Sequence, residues 1–362
     1  NNKDKLSKNT TRCGKLLKYI TIKMYTKMNT NKRINYVKMS STWGQSAWFT
    51  NDEFKFKKIS SKLSLIKSSE TTRSAFYSLF TKTTNQSDTF NKWFVGIVDG
   101  DGSFHFSKTR KGYWTFYFKV GQSKQNLQLL YYIKKIIGVG SITISNSKDN
   151  CTEYRIRDKK IIIKYILPVF DQYTLLTSKQ FDYLQFQKAI LISEDSSISI
   201  EEKDYKIALI KNETISQDFL SSAWKGVNTS NFTTSIAKDI LSKEWLVGFT
   251  EAEGSFFLVK KNAKQIAHIF EITQKRDKIV LDAISIILGM KVYINNSYYT
   301  CKTTNLKSIE NVIKYFTNTM KGKKSLEYRI WARSFKKDYS FPELVKIQEK
   351  LRKIRCKKDK TD

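Results

Sequence analysis

Two acidic residues that each stand directly before a glycine, Asp101 and Glu253, have the types and spacing for metal-assisted phosphodiester chemistry. They lie in FVGIVDGDG (94–102) and LVGFTEAEG (246–254), two stretches related by an offset of 152 residues. Hydrolysis assisted by two cations wants them on the order of 4 Å apart, clamping the attacking and leaving oxygens. Two carboxylates brought to one point repel each other, and bound divalent cations would relieve that repulsion. Other residues recur with the acids. Gln122 is matched by Gln274 at the same offset, and Lys179, in SKQFDY, by Lys324, in KKSLEY, at an offset of 145. A positioned lysine stabilises the negative charge that a phosphoryl transition state gains. An amide orients the attacking water.

The acids need elements that deliver them to one place. In the first copy Ser87 or Asp88 can cap a helix, and Trp93, Phe94, Ile97 and Val98 follow as its apolar residues. Gly96 and Gly100 then share one face; in the second copy Ser242 can cap, and Gly248 and Ala252 take the matching places. Glycine inside a helix costs about 1 kcal/mol against alanine. Small residues on one face commonly gain close approach to a partner, and the natural partner is the other copy. Asp101 and Glu253 fall at the C-terminal helix ends, where the dipole disfavours a carboxylate, each before a glycine that can end the helix. Two copies are too few for a solenoid and predict a pseudo-twofold unit.

A strand-like run follows each copy. In SFHFSK (103–108), Phe104 and Phe106 face one way and Ser103, His105 and Ser107 the other. In the return strand Trp114, Phe116, Phe118 and Val120 form the apolar face and Thr115, Tyr117 and Lys119 the polar one. That is the pattern of an antiparallel sheet with a wet side. A two-stranded ribbon can enter a major groove, so this polar face is the candidate for reading bases. The same face in the second copy is Ser255, Phe257, Val259, Lys261, Ala267, Ile269 and Glu271. It is largely apolar and suits direct base reading poorly, provided that the alignment has not slipped by one residue.

FVGIVDGDG and LVGFTEAEG resemble the two LAGLIDADG motifs of homing endonucleases and intron maturases, and the resemblance covers about residues 88–335. It implies an α+β fold of two pseudo-symmetric αββαββα repeats. The LAGLIDADG helices meet at the interface, and saddle-shaped antiparallel sheets lie over DNA. Carried over position by position, the second acids, Asp101 and Glu253, are the metal ligands. Asp99 and Glu251 are the first acids, which support the helix ends. Gln122, Gln274, Lys179 and Lys324 line the metal–water network. Glutamate in place of aspartate at 253 is a departure that shifts one carboxylate. The implied activity is a site-specific double-strand DNA endonuclease using Mg2+ (or Mn2+), acting as a monomer at an intron insertion site. The alternative is a maturase that holds its group I intron RNA for splicing; some members of the family do both.

Composition agrees with a polyanionic partner. The 362 residues carry 65 Lys and Arg against 33 acids, a net charge of +32, more than solubility alone requires. A basic structural protein, such as a ribosome-associated factor, would share that charge but not the paired motifs. No apolar run approaches the ~20 residues of a membrane span. Cys13, Cys151, Cys301 and Cys356 lie far apart without a CxxC pair, and His105 and His268 are the two histidines, which argues against zinc. Abundant Lys, Asn, Ile, Tyr and Phe with two prolines point to an A+T-rich genome, and with it to an organelle, here the mitochondrial matrix.

The expected domains are a basic, partly disordered extension (1–88), repeat one (89–195), a linker (196–240) that is part helical at 201–211, repeat two (241–335) and a C-terminal amphipathic helix with a basic tail (336–362). Residues 1–40, which hold one acid and begin with Asn1, read as a nucleic-acid arm, a targeting segment or the remnant of a longer fusion.

Overall fold

The computed structural model describes residues 21–29, 32–40, 46–50, 88–144, 151–227 and 232–356, in two compact units that part at Thr83. In the first unit β1 (Thr21–Asn29), β2 (Lys32–Ser40) and β3 (Ser46–Thr50) form an antiparallel meander in that order. The sequence reading assigned no regular element there, and this corrects it. The period-two alternation of Thr21, Ile22, Lys23 and Met24 slips at Tyr25, which hides the strand. Ser87 and the KKDKTD end lie outside the described residues.

The second unit opens with α1 (88–101), β4 (Gly102–Lys108), β5 (Trp114–Ser123), α2 (Leu127–Ile137), β6 (Ser141–Ile144) and β7 (Cys151–Ile156). A π turn at Ile162–Ile166 leads into α3 (Leu167–Gln172), and α4 (Lys179–Glu194) closes the repeat. Two helices, α5 (Ile200–Asn212) and α6 (Thr234–Ile240), follow. The pattern then recurs as α7 (Lys243–Glu253), β8 (Ser255–Lys260), β9 (Ile266–Gln274), α8 (Lys278–Leu288), β10 (Lys291–Ile294), β11 (Tyr299–Thr303), α9 (Leu306–Phe316) and α10 (Lys324–Lys336). The chain continues into α11 (Phe341–Cys356). The sheets have strand orders β4-β5-β7-β6 and β8-β9-β11-β10, antiparallel throughout. Two sheets of the same order, each behind its own acid-bearing helix, make the pseudo-twofold α+β fold.

Each sheet buries one face. Phe104, Phe106, Phe116, Phe118 and Val120 are buried under the first; Phe256, Leu258, Phe270 and Ile272 under the second. The faces therefore have the parity that the alternation predicts in both repeats. Residues 196–240 hold the helix expected at about 201–211, as α5, and a further one, α6, that the sequence reading left in the linker. Ser199 caps α5, its hydroxyl accepting from Glu202 N at 3.2 Å, and α5 packs on α4 while α6 packs on α8. Helix α11 packs on α10 and on β8, the open edge of the second sheet. Leu351 is fully buried there and Gln348 donates to Leu258 O at 2.6 Å, covering an edge that would otherwise invite another strand. Among the described residues no helix is long and apolar enough to cross a membrane.

Candidate active site

The two acid-bearing helices touch backbone to backbone. A Cβ on Gly96 would meet the Trp245 carbonyl oxygen and stand 2.9 Å from Phe249 N; one on Gly248 would meet the Trp93 carbonyl and stand 2.9 Å from Ile97 N. Further along, a Cβ on Gly100 would run into Ala252 and lie 3.5 Å from Glu253 Oε1. Asp101 and Glu253 close their helices beside this seam. Gly254 does not end its helix as a left-handed cap, since its φ is −72°. It is needed because a Cβ would stand 2.7 Å from Thr250 O, and the same holds for Gly102 against Val98 O at 2.7 Å. Helix can thus pass into strand with no intervening loop. Ser242 caps α7 as expected, accepting from Trp245 N at 3.1 Å. Asp88 lies inside α1, paired with Lys92 at 2.8 Å.

The first acids do more than support helix ends. Asp99 accepts from Leu176 N at 2.9 Å, Thr177 N at 3.1 Å and Thr177 Oγ1 at 2.6 Å, and from the Trp245 indole of the other half at 2.7 Å. Glu251 mirrors it, accepting from Lys321 N at 2.6 Å, Gly322 N, and the Trp93 indole at 2.7 Å. Each acid therefore holds the loop before its own repeat's lysine helix and one tryptophan across the interface. Burial pushes the Asp99 carboxyl up to about 6 and raises that of Glu251.

A second reciprocal pair escaped sequence reasoning. Asp277, at the N-terminus of α8, accepts from Ser178 N at 2.6 Å, and Asn126, at the N-terminus of α2, accepts from Lys323 N at 2.8 Å. The residue before each candidate lysine is thus held by the opposite half. The available signal was a polar capping residue three or four positions after each glutamine.

The six recurring residues gather at the helix ends. The Gln122 amide donates to Asp101 Oδ2, and Asn126 fixes that amide by donating to Gln122 Oε1 at 2.8 Å. Gln274 hydrogen-bonds Glu253 in the same way. Lys179 Nζ donates to the carbonyls of Gly100 and Gly102, both at 2.7 Å, which flank Asp101. Among the described residues no matching bond holds Lys324, which faces the charges of Glu327, Arg355, Asp101 and Glu253. Burial, then the Glu253 charge, push the Asp101 carboxyl up to about 6 against the pull of Lys179, Gln122 and Lys324. Burial also holds Glu253 above, and both lysines below, their ordinary values.

A divalent cation fits this donor set. It offers two close carboxylates, and no cluster of three or more His, Cys, Asp or Glu exists among the described residues. Mg2+ is bound in that way, through one or two carboxylates, its own waters and substrate phosphate. Protons compete for the same oxygens. Asp101 is charged above about pH 6 and protonated below it, so apparent affinity for Mg2+ should fall as pH drops through 6. Calorimetric titration at pH 5.5 and 7.5 checks this, and Asp101→Asn should flatten the difference.

The candidate base-reading residues lie on the open face. His105 stacks on Tyr117 with ring centroids 4.5 Å apart, Thr115 Oγ1 donates to Ser107 O at 3.1 Å, and Ser103 pairs across the ladder with Lys119. Lys119 is engaged by Glu153 at 2.8 Å; Glu153 also pairs with Arg155, whose guanidinium lies 5.3 Å from the Tyr117 ring centre. Lys261 is not in a strand: β8 ends at Lys260, and Lys261 N donates to Gln265 O in the turn. In the second sheet Phe257, Val259, Ala267 and Ile269 share the open face with Glu271, as expected. The outer strands add cations that a two-strand reading missed. Lys302 stands opposite both Glu271 and Lys291, and Tyr293 lies near it.

A family model described as LAGLIDADG endonuclease matches residues 94–190 and 246–335. The probable intron-encoded endonuclease Cox1-I1b of Schizosaccharomyces pombe is 36% identical over 293 residues, 77% of this chain and 73% of that protein. The I-LtrWI LAGLIDADG homing endonuclease bound to target DNA superposes with a TM-score of 0.60 at 25% identity, over 73% of this chain and 97% of its own. I-SmaMI bound to an uncleaved DNA target in the presence of calcium ions gives 0.59 at 25% identity, over 72% and 97%.

Proposed function

Because the chain belongs to the LAGLIDADG endonuclease family, we propose that it cuts both strands of a DNA duplex at an intron insertion site, with Asp101 and Glu253 holding Mg2+ or Mn2+. The observation that carries the reading is the seam at Gly96 and Gly248, which brings two buried acids of opposite repeats together. When bound, the metal supplies charge stabilisation at the phosphate and a water ready to attack. Gln122 and Gln274 orient water beside the acids. Lys179, fixed by two carbonyls, and Lys324 stabilise the charge that develops on phosphate. The open sheet faces take the duplex: His105, Tyr117, Lys119 and Arg155 on one side, Lys291, Tyr293 and Lys302 on the other. Phe257, Val259 and Ile269 suit thymine methyls rather than hydrogen-bonded edges. The chain's amino-acid usage, which favours A+T-rich codons, supports a mitochondrial origin.

The decisive experiment incubates the protein with intronless exon-junction DNA and Mg2+. Cleavage into two double-stranded products is expected. No cleavage, with tight binding to the cognate group I intron RNA, would hand the function to the maturase alternative. Binding to the duplex should weaken with salt at a log–log slope of about −0.9 per phosphate contacted. A slope near zero in a filter-binding series would contradict the role of the +32 charge.

A further inference from the structure

Each candidate lysine carries an acid on its own helix, three residues on: Asp182 after Lys179, and Glu327 after Lys324. Side chains three apart share a helix face, so each acid competes for its lysine with the centre the lysine serves. For Lys324 the Glu327 charge outranks those of Asp101 and Glu253. Glu327 is buried, with 6% of its side chain exposed, so water screens it little.

Arg355, near the end of α11, meets this acid. Its Nε donates to Glu327 Oε2 at 3.1 Å, its Nη2 donates to Phe256 O at 2.6 Å, and its guanidinium lies 5.5 Å from the Phe257 ring centre. Three contacts hold the fork in place. The first half has a related arrangement: α5 follows α4 as α11 follows α10, and the charges of Lys211, near the end of α5, and Arg276 act on Asp182. In both halves the helix after the lysine helix brings a cation to the neighbouring acid.

We propose that Arg355 is a positioning residue for Lys324: by holding Glu327 it leaves the Lys324 ammonium to the acid pair and to the phosphate of one DNA strand. The proposal rests on the nuclease reading above and gives a role to a helix beyond the family match. A duplex with twofold backbone symmetry, set on a pseudo-twofold protein, puts one lysine beside each scissile phosphate. Losing Arg355 therefore handicaps one strand more than the other.

The test uses the full chain and a supercoiled plasmid carrying the target site. Arg355→Met should slow cleavage of one strand by about tenfold, the low end of what loss of an outer partner costs, so that nicked circle accumulates. Arg355→Lys should recover most of the balance. Arg355→Met combined with Glu327→Gln should recover it too, because no acid is left to compete. A second readout needs neither DNA nor metal. The acylation rate of the Lys324 amine, followed by peptide mass spectrometry, should fall several-fold in Arg355→Met and return in the double variant. Equal slowing of both strands, or a double variant no better than the single, would overturn the proposal. Should Arg355→Met fail to fold, Glu327→Gln alone decides. With Glu327 gone and Arg355 left unpaired beside it, Lys324 labelling should rise several-fold, and unchanged labelling would overturn the idea. A wild-type protein that cuts nothing sinks the nuclease reading instead, and the labelling series still decides whether Arg355 acts on Lys324.

Discussion

Asp101→Asn should remove cleavage and leave the protein folded and bound to DNA. The substitution keeps the side-chain shape and one oxygen acceptor for the Gln122 amide, but it discards the charge that a divalent cation requires. Metal assistance supplies several kcal/mol of transition-state charge stabilisation. At 1.36 kcal/mol per tenfold, the rate should fall by about a thousandfold or more. Stability should move the other way. Burial and Glu253 raise the Asp101 carboxyl to about 6 in the folded chain, above its ordinary 3.8. The folded state therefore binds the proton more tightly than the unfolded one, and stability from this group is lost as pH rises from about 4 to 6. Near pH 7.5 the native Asp101 is a strained charge, and asparagine relieves it. The expected result is abolished cleavage, unchanged duplex affinity without metal and a Tm equal to or above the native one. Cleavage that survives the substitution would remove Asp101 as a ligand; a large drop in Tm would make its role structural.

The sequence disclosed the parts of this site that repetition and alternation report. Asp101 and Glu253 showed themselves by recurring before a glycine, and Gln122, Gln274, Lys179 and Lys324 by keeping near-constant offsets. Strand faces followed because period two is local: Phe104, Phe106, Phe256 and Leu258 point inward wherever the sheets lie. Partners across the interface did not follow. Trp93 meets Glu251 over a separation of 158 residues and Trp245 meets Asp99 over 146. Nothing in either motif says that an indole of one copy ends on the acid of the other. The same limit hid Asn126 and Asp277, whose acceptors serve the opposite lysine helix. Residues 196–240 read as a linker with one helix because their Ser, Thr and Asn content resembles loops, while the missed α6 gains its stability from packing on α8 rather than from composition.

The seam itself bears the second large effect: Gly248→Val should separate the halves. Its Cβ would enter the Trp93 carbonyl and crowd Ile97 N at 2.9 Å, and neither atom can give way, since both belong to helix backbone. Overpacking a core costs typically 1–3 kcal/mol, sometimes more. Here the strain falls on a crossing that also holds the Trp93–Glu251 and Trp245–Asp99 hydrogen bonds. Moving the helices apart leaves two buried acids short of a donor, and each such loss adds about 1–3 kcal/mol. A total near or above 3 kcal/mol would lower Tm by roughly 6–12 °C in a domain of this size. Gly121→Ala is the control, because no atom lies within 4 Å of its Cβ position, and it should stay within about 0.5 kcal/mol of the native protein. Cleavage should be more sensitive than the fold. Small misplacements of reacting groups cost rate steeply, so Gly248→Ala, a milder wedge, should lose cutting activity before it loses duplex binding. Scanning calorimetry paired with plasmid cleavage separates the two effects. A Gly248→Val protein with native Tm and native cleavage would mean that the helices do not meet at this glycine, and the shared acid centre would have no scaffold.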